Sequence, residues 1–271
     1  MTTTSKLLDN DIPLFATYTA AQGGDAAASL NHHVSTFLGT HAAKKKRGPV
    51  SGAVVGNGST LRESGYGQEI DRHDYVFRMN SAPTQGYETD VGSRTTFNSG
   101  INNRRYKDAL YPLETIAIVL GGVRTLEPID LQQKRSREIT LRTDIGDLSG
   151  DRPVLAVSDA FVDRLYDQWI TAGDSTAFFQ ASTGFRSVVL ALHLCDCVDV
   201  YGFGPDAQGR LWHYYYRGAF HSSHAPDAQQ MILDELNAVG VITIRQGNPN
   251  PTDPPDVGRF DHLPYRPGAQ Q

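Results

Sequence analysis

Three short blocks in this chain carry residue types suited to holding a charged ligand and moving a proton. The first is Gly56-Asn57-Gly58-Ser59, which follows the apolar run Ala53-Val54-Val55. Glycines permit a tight turn and let a ligand approach the backbone, and the Asn57 amide both donates and accepts hydrogen bonds. Asn80 holds a matching place at the end of a second run, Tyr75-Val76-Phe77-Arg78-Met79. The second block, Ser182-Thr183-Gly184, opens a stretch with helical periodicity. Ser or Thr there suits a helix cap, and the open amides of a helix start bind anions such as phosphate. The third is Trp212-His213-Tyr214-Tyr215-Tyr216, followed by His221 and His224. Histidine is the usual acid or base near neutral pH.

Each block taken singly also has a plain structural reading. Gly-Asn-Gly is common in turns, Ser-Thr-Gly is an ordinary cap, and three histidines can lie on a surface loop. His193 falls at helical spacing and reads as packed or capping. Zinc is a weak reading for the histidines, because no Glu-x-x-His-type helical spacing accompanies them. The one Asp-x-Asp, Asp9-Asn10-Asp11, lies in the polar lead and not after a strand where it could clamp a metal on a pyrophosphate, so no metal or other cofactor is expected. Residues 56–61 lack the Gly-x-Gly-x-x-Gly of a dinucleotide site.

The elements that must position these blocks follow from hydrophobic patterning. Strands are predicted at Val50 to Val55, Tyr75 to Asn80, Thr95 to Ser99, Thr115 to Leu120, Val154 to Val157, Val198 to Phe203 and Val241 to Ile244. Helices are predicted near Ala26 to Leu38 and over Glu127 to Arg137, Phe161 to Thr171, Gly184 to Cys195 and Asp227 to Ala238. Ser64 to His73 reads as a loop or short helix. This alternation predicts a single-domain α/β three-layer sandwich with a mostly parallel central sheet. Ligands of such sheets bind at the carboxyl ends of the strands, where Asn57, Asn80 and the turn Phe203-Gly204 fall. Residues 1–47 read as a polar lead, partly disordered, residues 48–247 as the folded domain, and residues 248–271 as a Pro/Gly-rich tail.

Composition narrows the function classes. The chain has 271 residues and a net charge of −5, so it offers no global attraction for nucleic acid. The basic run Lys44-Lys45-Lys46-Arg47 reads as a solvated linker. Cys195 and Cys197 are the only cysteines, and their spacing suits neither a mutual disulfide nor a metal site. No apolar run is long enough for a signal peptide or a membrane span. A cytoplasmic setting is therefore expected, or the Golgi lumen if the chain is truncated. Asn57-Gly58-Ser59 is a glycosylation sequon whose use would obstruct the proposed site, which also favours life outside the secretory pathway.

Four of these segments together resemble the eukaryotic-type sialyltransferase family. Residues 53–98 resemble the large sialylmotif, residues 181–204 (ending CDCVDVYGFG) the small one, His213 to Tyr216 the third, and His224-Ala225-Pro226-Asp227 the very small one. They occur in family order. The resemblance implies a variant Rossmann-like, glycosyltransferase A-type-like fold and a metal-independent, inverting transfer from a CMP-sugar to a glycan hydroxyl. It implies that Asn57, Gly58, Ser59 and Asn80 contact the donor nucleotide, and that Ser182, Thr183 and Gly184 hold cytidine and ribose. His213 then lies near the donor phosphate and His224 is the base. His221 is an alternative base, though counting back from Val241 to Ile244 favours His224. The implied donor is CMP-sialic acid, with CMP-Kdo as an alternative; a non-catalytic CMP-sugar or glycan-binding relic is the alternative from another class. Two departures stand out. The family cysteine before the first strand, which bridges to the position of Cys195, is missing from Val50-Ser51-Gly52. Gln229 replaces a family glutamate five residues after the very-small-motif histidine, where it can hydrogen-bond but not ionise.

Overall fold

The structure is a computed structural model and describes residues 13–17, 20–99, 112, 114–119, 153–158, 160–161, 182–219 and 226–257. Seven strands form one sheet in the order β5-β4-β3-β2-β1-β6-β9, and every pairing within it is parallel. They are β1 Ser51–Val55, β2 Tyr75–Met79, β3 Phe97–Ser99, β4 Ile116–Val119, β5 Val154–Ala156, β6 Cys197–Tyr201 and β9 Thr243–Arg245. A small antiparallel hairpin joins β7 Trp212–His213 to β8 Tyr216–Ala219. The central strands are continuous apolar runs because both of their faces are covered; all five residues of β2 are buried. From β1 the chain winds outward through β2, β3, β4 and β5, then returns to place β6 on the other side of β1. The order therefore reverses between β1 and β6, which is where open parallel sheets bind ligands.

Helices α1 Ala20–Lys45, α4 Thr183–Leu194 and α5 Pro226–Ala238 pack with one face of the sheet. Phe185, Val188 and Leu194 of α4 meet Val54, Phe77 and Val200 there. On the opposite face, α2 Gly67–Asp71 and α3 Glu88–Val91 contribute Ile70 and Val91, and Tyr214, Tyr215 and Tyr216 complete the layer. The predicted α/β sandwich thus forms, with strand positions within a few residues of those read from patterning. The predicted helix over Glu127 to Arg137 and most of that over Phe161 to Thr171 lie outside the described residues. The hairpin was not predicted, because its two strands are short and carry polar and aromatic residues without a clear alternation.

The helix expected near Ala26 to Leu38 is longer than patterning suggested. Ala27, Leu30, Val34 and Phe37 are buried at helical spacing along α1, and Phe37 meets Phe15 and Phe97 edge to face. The basic run proves not to be a linker alone. Lys44 and Lys45 form the last turn of α1 and pair with Asp74 (2.9 Å) and Asp196 (3.0 Å). Those carboxylates also accept from the amides of Ser51 and Val50 at the entry to β1. The exposed pairs themselves are worth ~0–1 kcal/mol; the amide contacts fix where the first strand begins. Among the described residues no helix is long and apolar enough to cross a membrane.

A polar network lies on the hairpin face of the sheet. His73 Nε2 donates to Asp199 of β6 (3.0 Å), while its Nδ1 faces the carbonyl oxygens of Glu69 and Ile70 at 3.1 and 3.3 Å. Arg245 reaches both Asp199 and Glu69 at 3.1 Å. Tyr201 donates to Glu69 at 2.9 Å. Only a doubly protonated imidazole donates on both sides. Burial opposes that charge, but the hydrogen bond and charge of Asp199 outweigh it and raise the His73 pKa above 6.5. Asp199 moves down: burial opposes this too, and His73 and Arg245 override it.

Two predictions follow from the packing. A raised histidine pKa contributes stability that is full below the unfolded value and is lost as pH rises through the folded value. The stability gap between the parent and His73→Gln should be widest below about pH 6.5 and narrow toward pH 8; thermal denaturation across that range checks it, and a gap independent of pH refutes the charged ring. The second concerns Cys195, a buried free thiol. A Cβ on Gly52 would lie 2.6 Å from Cys195 Sγ and 3.3 Å from its Cβ, close to disulfide spacing. Gly52→Cys should therefore oxidise to a variant with three cysteines and one free thiol. Closing a loop of more than about 100 residues stabilises by up to about 4–5 kcal/mol. Thiol titration and a raised, reductant-sensitive Tm test this; three titratable thiols under oxidising conditions would disprove it.

Candidate functional site

The candidate site gathers at the carboxyl ends of β1, β2 and β6. Gly56 N donates to Tyr201 O (2.7 Å) and Gly58 N to Gly202 O (3.0 Å), so the first loop runs hard against the turn after β6. A Cβ on Gly56 or Gly58 would sit 2.5 or 2.6 Å from the Gly202 carbonyl oxygen. The backbone that approaches these glycines is therefore the protein's own. That contact fixes Asn57 between them, 4% exposed. Its backbone oxygen accepts from Tyr214 N (2.9 Å), yet its side-chain Oδ1 is buried and takes no hydrogen bond. Leaving a buried amide oxygen unpaired costs ~1–3 kcal/mol, so a native protein keeps one where a ligand or water completes it.

The aromatic block is brought to this loop by the hairpin. Gly58 and His213 form an antiparallel bridge. Tyr214 OH donates to Pro83 O (2.5 Å), and Arg62 Nη1 donates to Tyr214 O (2.9 Å). Tyr214, Tyr215 and Tyr216 are buried, and the His213 ring stacks on Tyr216 with centroids 4.6 Å apart. The tyrosines are thus a wedge holding His213 beside Asn57, Gly58 and Ser59. This contact across more than 150 residues of sequence separation is what spacing alone does not reveal.

The second block forms the predicted helix start. Ser182 is the N-cap of α4, its Oγ accepting from Phe185 N at 3.1 Å. The first turn contains no acidic residue, so the positive end of the helix dipole is not offset locally. A Cβ on Gly184 would lie 3.0 Å from the Phe203 ring and 3.3 Å from Met79 Sδ. The same ring would be 2.9 Å from a Cβ on Gly56. Phe203 therefore joins the helix start to the first loop, and glycine at both positions lets all three parts close together. His193, at the far end of α4, contacts Val189 O (2.8 Å) and Phe161, as a packed residue.

Asn80 follows β2 directly with φ of 57°, one of two non-glycine residues with positive φ among the described residues. His221 and His224 lie outside the described residues. The helix that follows them is placed: Gln229, in α5, is 9% exposed, and its Oε1 accepts from Ser182 N at 2.9 Å. Gln229 thus ties α5 to the cap of α4. Patterning placed Phe203 in a turn at the ligand-binding ends of the strands and marked Gln229 as a departure, but it did not bring these two residues and the Asn98 side chain together. Among the described residues no group of three or more His, Cys, Asp or Glu is arranged to hold a metal ion.

Comparison with known proteins was made with this geometry in hand. The family model described as glycosyltransferase family 29 (sialyltransferase) matches residues 14–241. The chain is 35% identical over 217 residues to CMP-N-acetylneuraminate-beta-galactosamide-alpha-2,3-sialyltransferase 1 of Pan troglodytes, covering 72% of this chain and 58% of that one. It is 30% identical over 235 residues to alpha-N-acetylgalactosaminide alpha-2,6-sialyltransferase 1 of Mus musculus, covering 72% and 43%. The chain therefore spans less than two thirds of the length of these relatives. A crystal structure of a mammalian sialyltransferase in complex with Gal-beta-1-3GalNAc-ortho-nitrophenol superposes with a TM-score of 0.63 at 24% identity, covering 90% of this chain and 94% of that one. That superposition supports the fold.

The Gln229 contact yields a stability prediction. Gln229→Ala leaves the Ser182 amide without its acceptor and should cost about 1–3 kcal/mol. Gln229→Glu keeps an acceptor whether its carboxyl is ionised or protonated, and should cost less than Gln229→Ala at both neutral and acid pH. Urea denaturation of the three proteins at two pH values decides this; equal stability of Gln229→Ala and the parent would mean the contact does not hold α5 to α4.

Proposed function

The chain belongs to glycosyltransferase family 29 (sialyltransferase), and we propose that it transfers N-acetylneuraminate from CMP-N-acetylneuraminate to a hydroxyl of a β-galactoside-type acceptor. The observation that carries this reading is the convergence at the β1/β6 reversal. There a buried, unpaired Asn57 amide oxygen lies beside His213, across Phe203 from an α4 start without acidic residues. This arrangement suits a nucleoside monophosphate: amide groups for sugar and base edges, helix amides for the phosphate. The donor and acceptor classes are those in the names of the relatives. CMP-Kdo shares the CMP half, so these residues do not discriminate against it; the relatives' names support N-acetylneuraminate instead.

In this mechanism Asn57, Gly58, Ser59 and Asn80 hold the nucleotide, and Ser182, Thr183 and Gly184 present the cap of α4 to cytidine and phosphate. His224 takes the proton from the acceptor hydroxyl as CMP departs. His213, fixed by its stack on Tyr216, stabilises the charge that develops on the leaving phosphate. The reading is of metal-independent transfer by a unit spanning residues 48–247, with α1 packed on it. A cytoplasmic setting is proposed from the thiols: buried Cys195 faces a glycine where a bridging partner would stand.

The test measures CMP release with CMP-N-acetylneuraminate and β-galactosides, against hydrolysis without acceptor. Release should require acceptor and persist in a chelator. His224→Ala should lower kcat by ~10²–10⁴ while CMP affinity holds. A loss under tenfold would sink His224 as base. CMP binding without turnover on any acceptor would mark the chain as a non-catalytic binding relic.

A further inference from the structure

We propose that Asn98 is a further donor-site residue, which locks Asn80 into its binding conformation and presents its own amide oxygen to the nucleoside. This deepens the transferase reading and rests on it for the identity of the ligand. Asn80 has φ of 57°, a left-handed conformation that disfavours most side chains and that asparagine tolerates best after glycine. The neighbouring strand β3 fixes the peptide groups on both sides of that residue. Asn80 N donates to Ser99 O at 2.7 Å, and Asn98 Nδ2 donates to Asn80 O at 3.1 Å. Both backbone groups of Asn80 are thereby tied to consecutive residues of β3, which holds its left-handed backbone in place.

The second observation points to a ligand. Asn98 is 1% exposed, and its Oδ1 is buried without a hydrogen-bond partner. The amide orientation is decided by the carbonyl of Asn80, which accepts and so must face Nδ2 rather than Oδ1. Asn57 Oδ1 is in the same state. Two unpaired amide oxygens are thus carried by the neighbours of β2, one in the loop that follows β1 and one in β3. A nucleoside, whose hydroxyl and exocyclic amino groups are donors, has the groups to complete them. The next residue of β3 reaches α4: the Ser99 and Ser187 hydroxyls are hydrogen-bonded at 2.7 Å, and Ser187 Oγ lies 2.8 Å from Thr183 O. The end of β3 thus holds Asn80 on one side and the first turn of α4 on the other.

The experiment measures CMP affinity by calorimetry, and hydrogen exchange at the Asn80 amide, in the parent and in Asn98→Leu and Asn98→Asp. Asn98→Leu should weaken CMP binding by about tenfold or more, with a modest loss of Tm, because removing an unpaired buried acceptor offsets part of the cost of leaving Asn80 O without its donor. In an Asn80→Ala background the same change should cost clearly less, since part of its effect passes through Asn80. Asn98→Asp keeps the acceptor but not the donor, and should speed exchange at Asn80 as Leu does. CMP affinity within twofold of the parent in a folded Asn98→Leu, or equal losses in both backgrounds, overturns the proposal. If Asn98→Leu does not fold, Asn98→Asp decides by the same readings. Should the parent fail to bind CMP, the transferase reading fails separately; unchanged Asn80 exchange in both variants would then overturn the positioning role, and faster exchange would uphold it.

Discussion

The site depends on one close backbone approach, that of the Gly56–Gly58 loop to the carbonyl oxygen of Gly202. It occurs where the winding of the sheet reverses, so it joins the strand that begins the fold to the strand that returns to it. Any side chain at position 56 or 58 would meet that oxygen at 2.5–2.6 Å, nearer than atoms pack. Opening the gap would move the loop off β6 and Asn57 with it. The hairpin is registered on the same loop through the bridge from Gly58 to His213. It would lose its seat as well. Glycine here is a packing requirement first, and its value to a ligand follows from where the packing leaves Asn57.

Two layers of support radiate from this contact and differ in character. On the α4 side the support is apolar: Phe203 and Met79 press on Gly184, and Phe185, Val188 and Leu194 anchor the helix to the sheet. On the hairpin side it is aromatic and polar, with Tyr214 reaching Pro83 and His73, Asp199, Arg245 and Glu69 linked below. Buried apolar contact is tolerant of small shifts, whereas a buried polar network is costly when half satisfied. The Asn57 and Asn80 segments are thus positioned by the less forgiving kind of contact, through the hairpin and β3, while the start of α4 is held by the more forgiving kind.

Much of the fold was legible because parallel strands buried on both faces write themselves as short apolar runs, and Val54, Phe77, Ile118 and Leu155 are such runs. The site was legible in part. Asn57 and Asn80 follow strands, Ser182 precedes a helix, and local sequence signals both. What stayed hidden is long-range pairing: that Tyr214 seats on Asn57, that Gln229 accepts from Ser182, that Asn98 holds Asn80. None of these leaves a periodic trace, since each depends on two distant segments meeting in register. The length of α1 was understated for a different reason. Its helical face is spread thinly among alanines and polar residues, so burial at Leu30 and Phe37 appears only once the sheet edge is in place.

The replacement of a glutamate by Gln229 gains meaning from these supports. The residue sits at the cap of α4, where a carboxylate would add negative charge to the amides proposed to receive a phosphate. A carboxylate accepts more strongly from the Ser182 amide, and it also favours the helix start electrostatically. The same charge competes with an incoming anion for that end of the dipole. An amide keeps the structural hydrogen bond and leaves the dipole to the ligand. It is compatible with a folded, binding-competent site, and the exchange trades some strength in the α4–α5 tie for an uncompensated helix start. Cys195 shows a parallel economy: it is a free thiol packed against Gly52, and this end of the motif core is held by the β1–β6 pairing and by the Asp196 and Asp74 contacts to the Val50 and Ser51 amides.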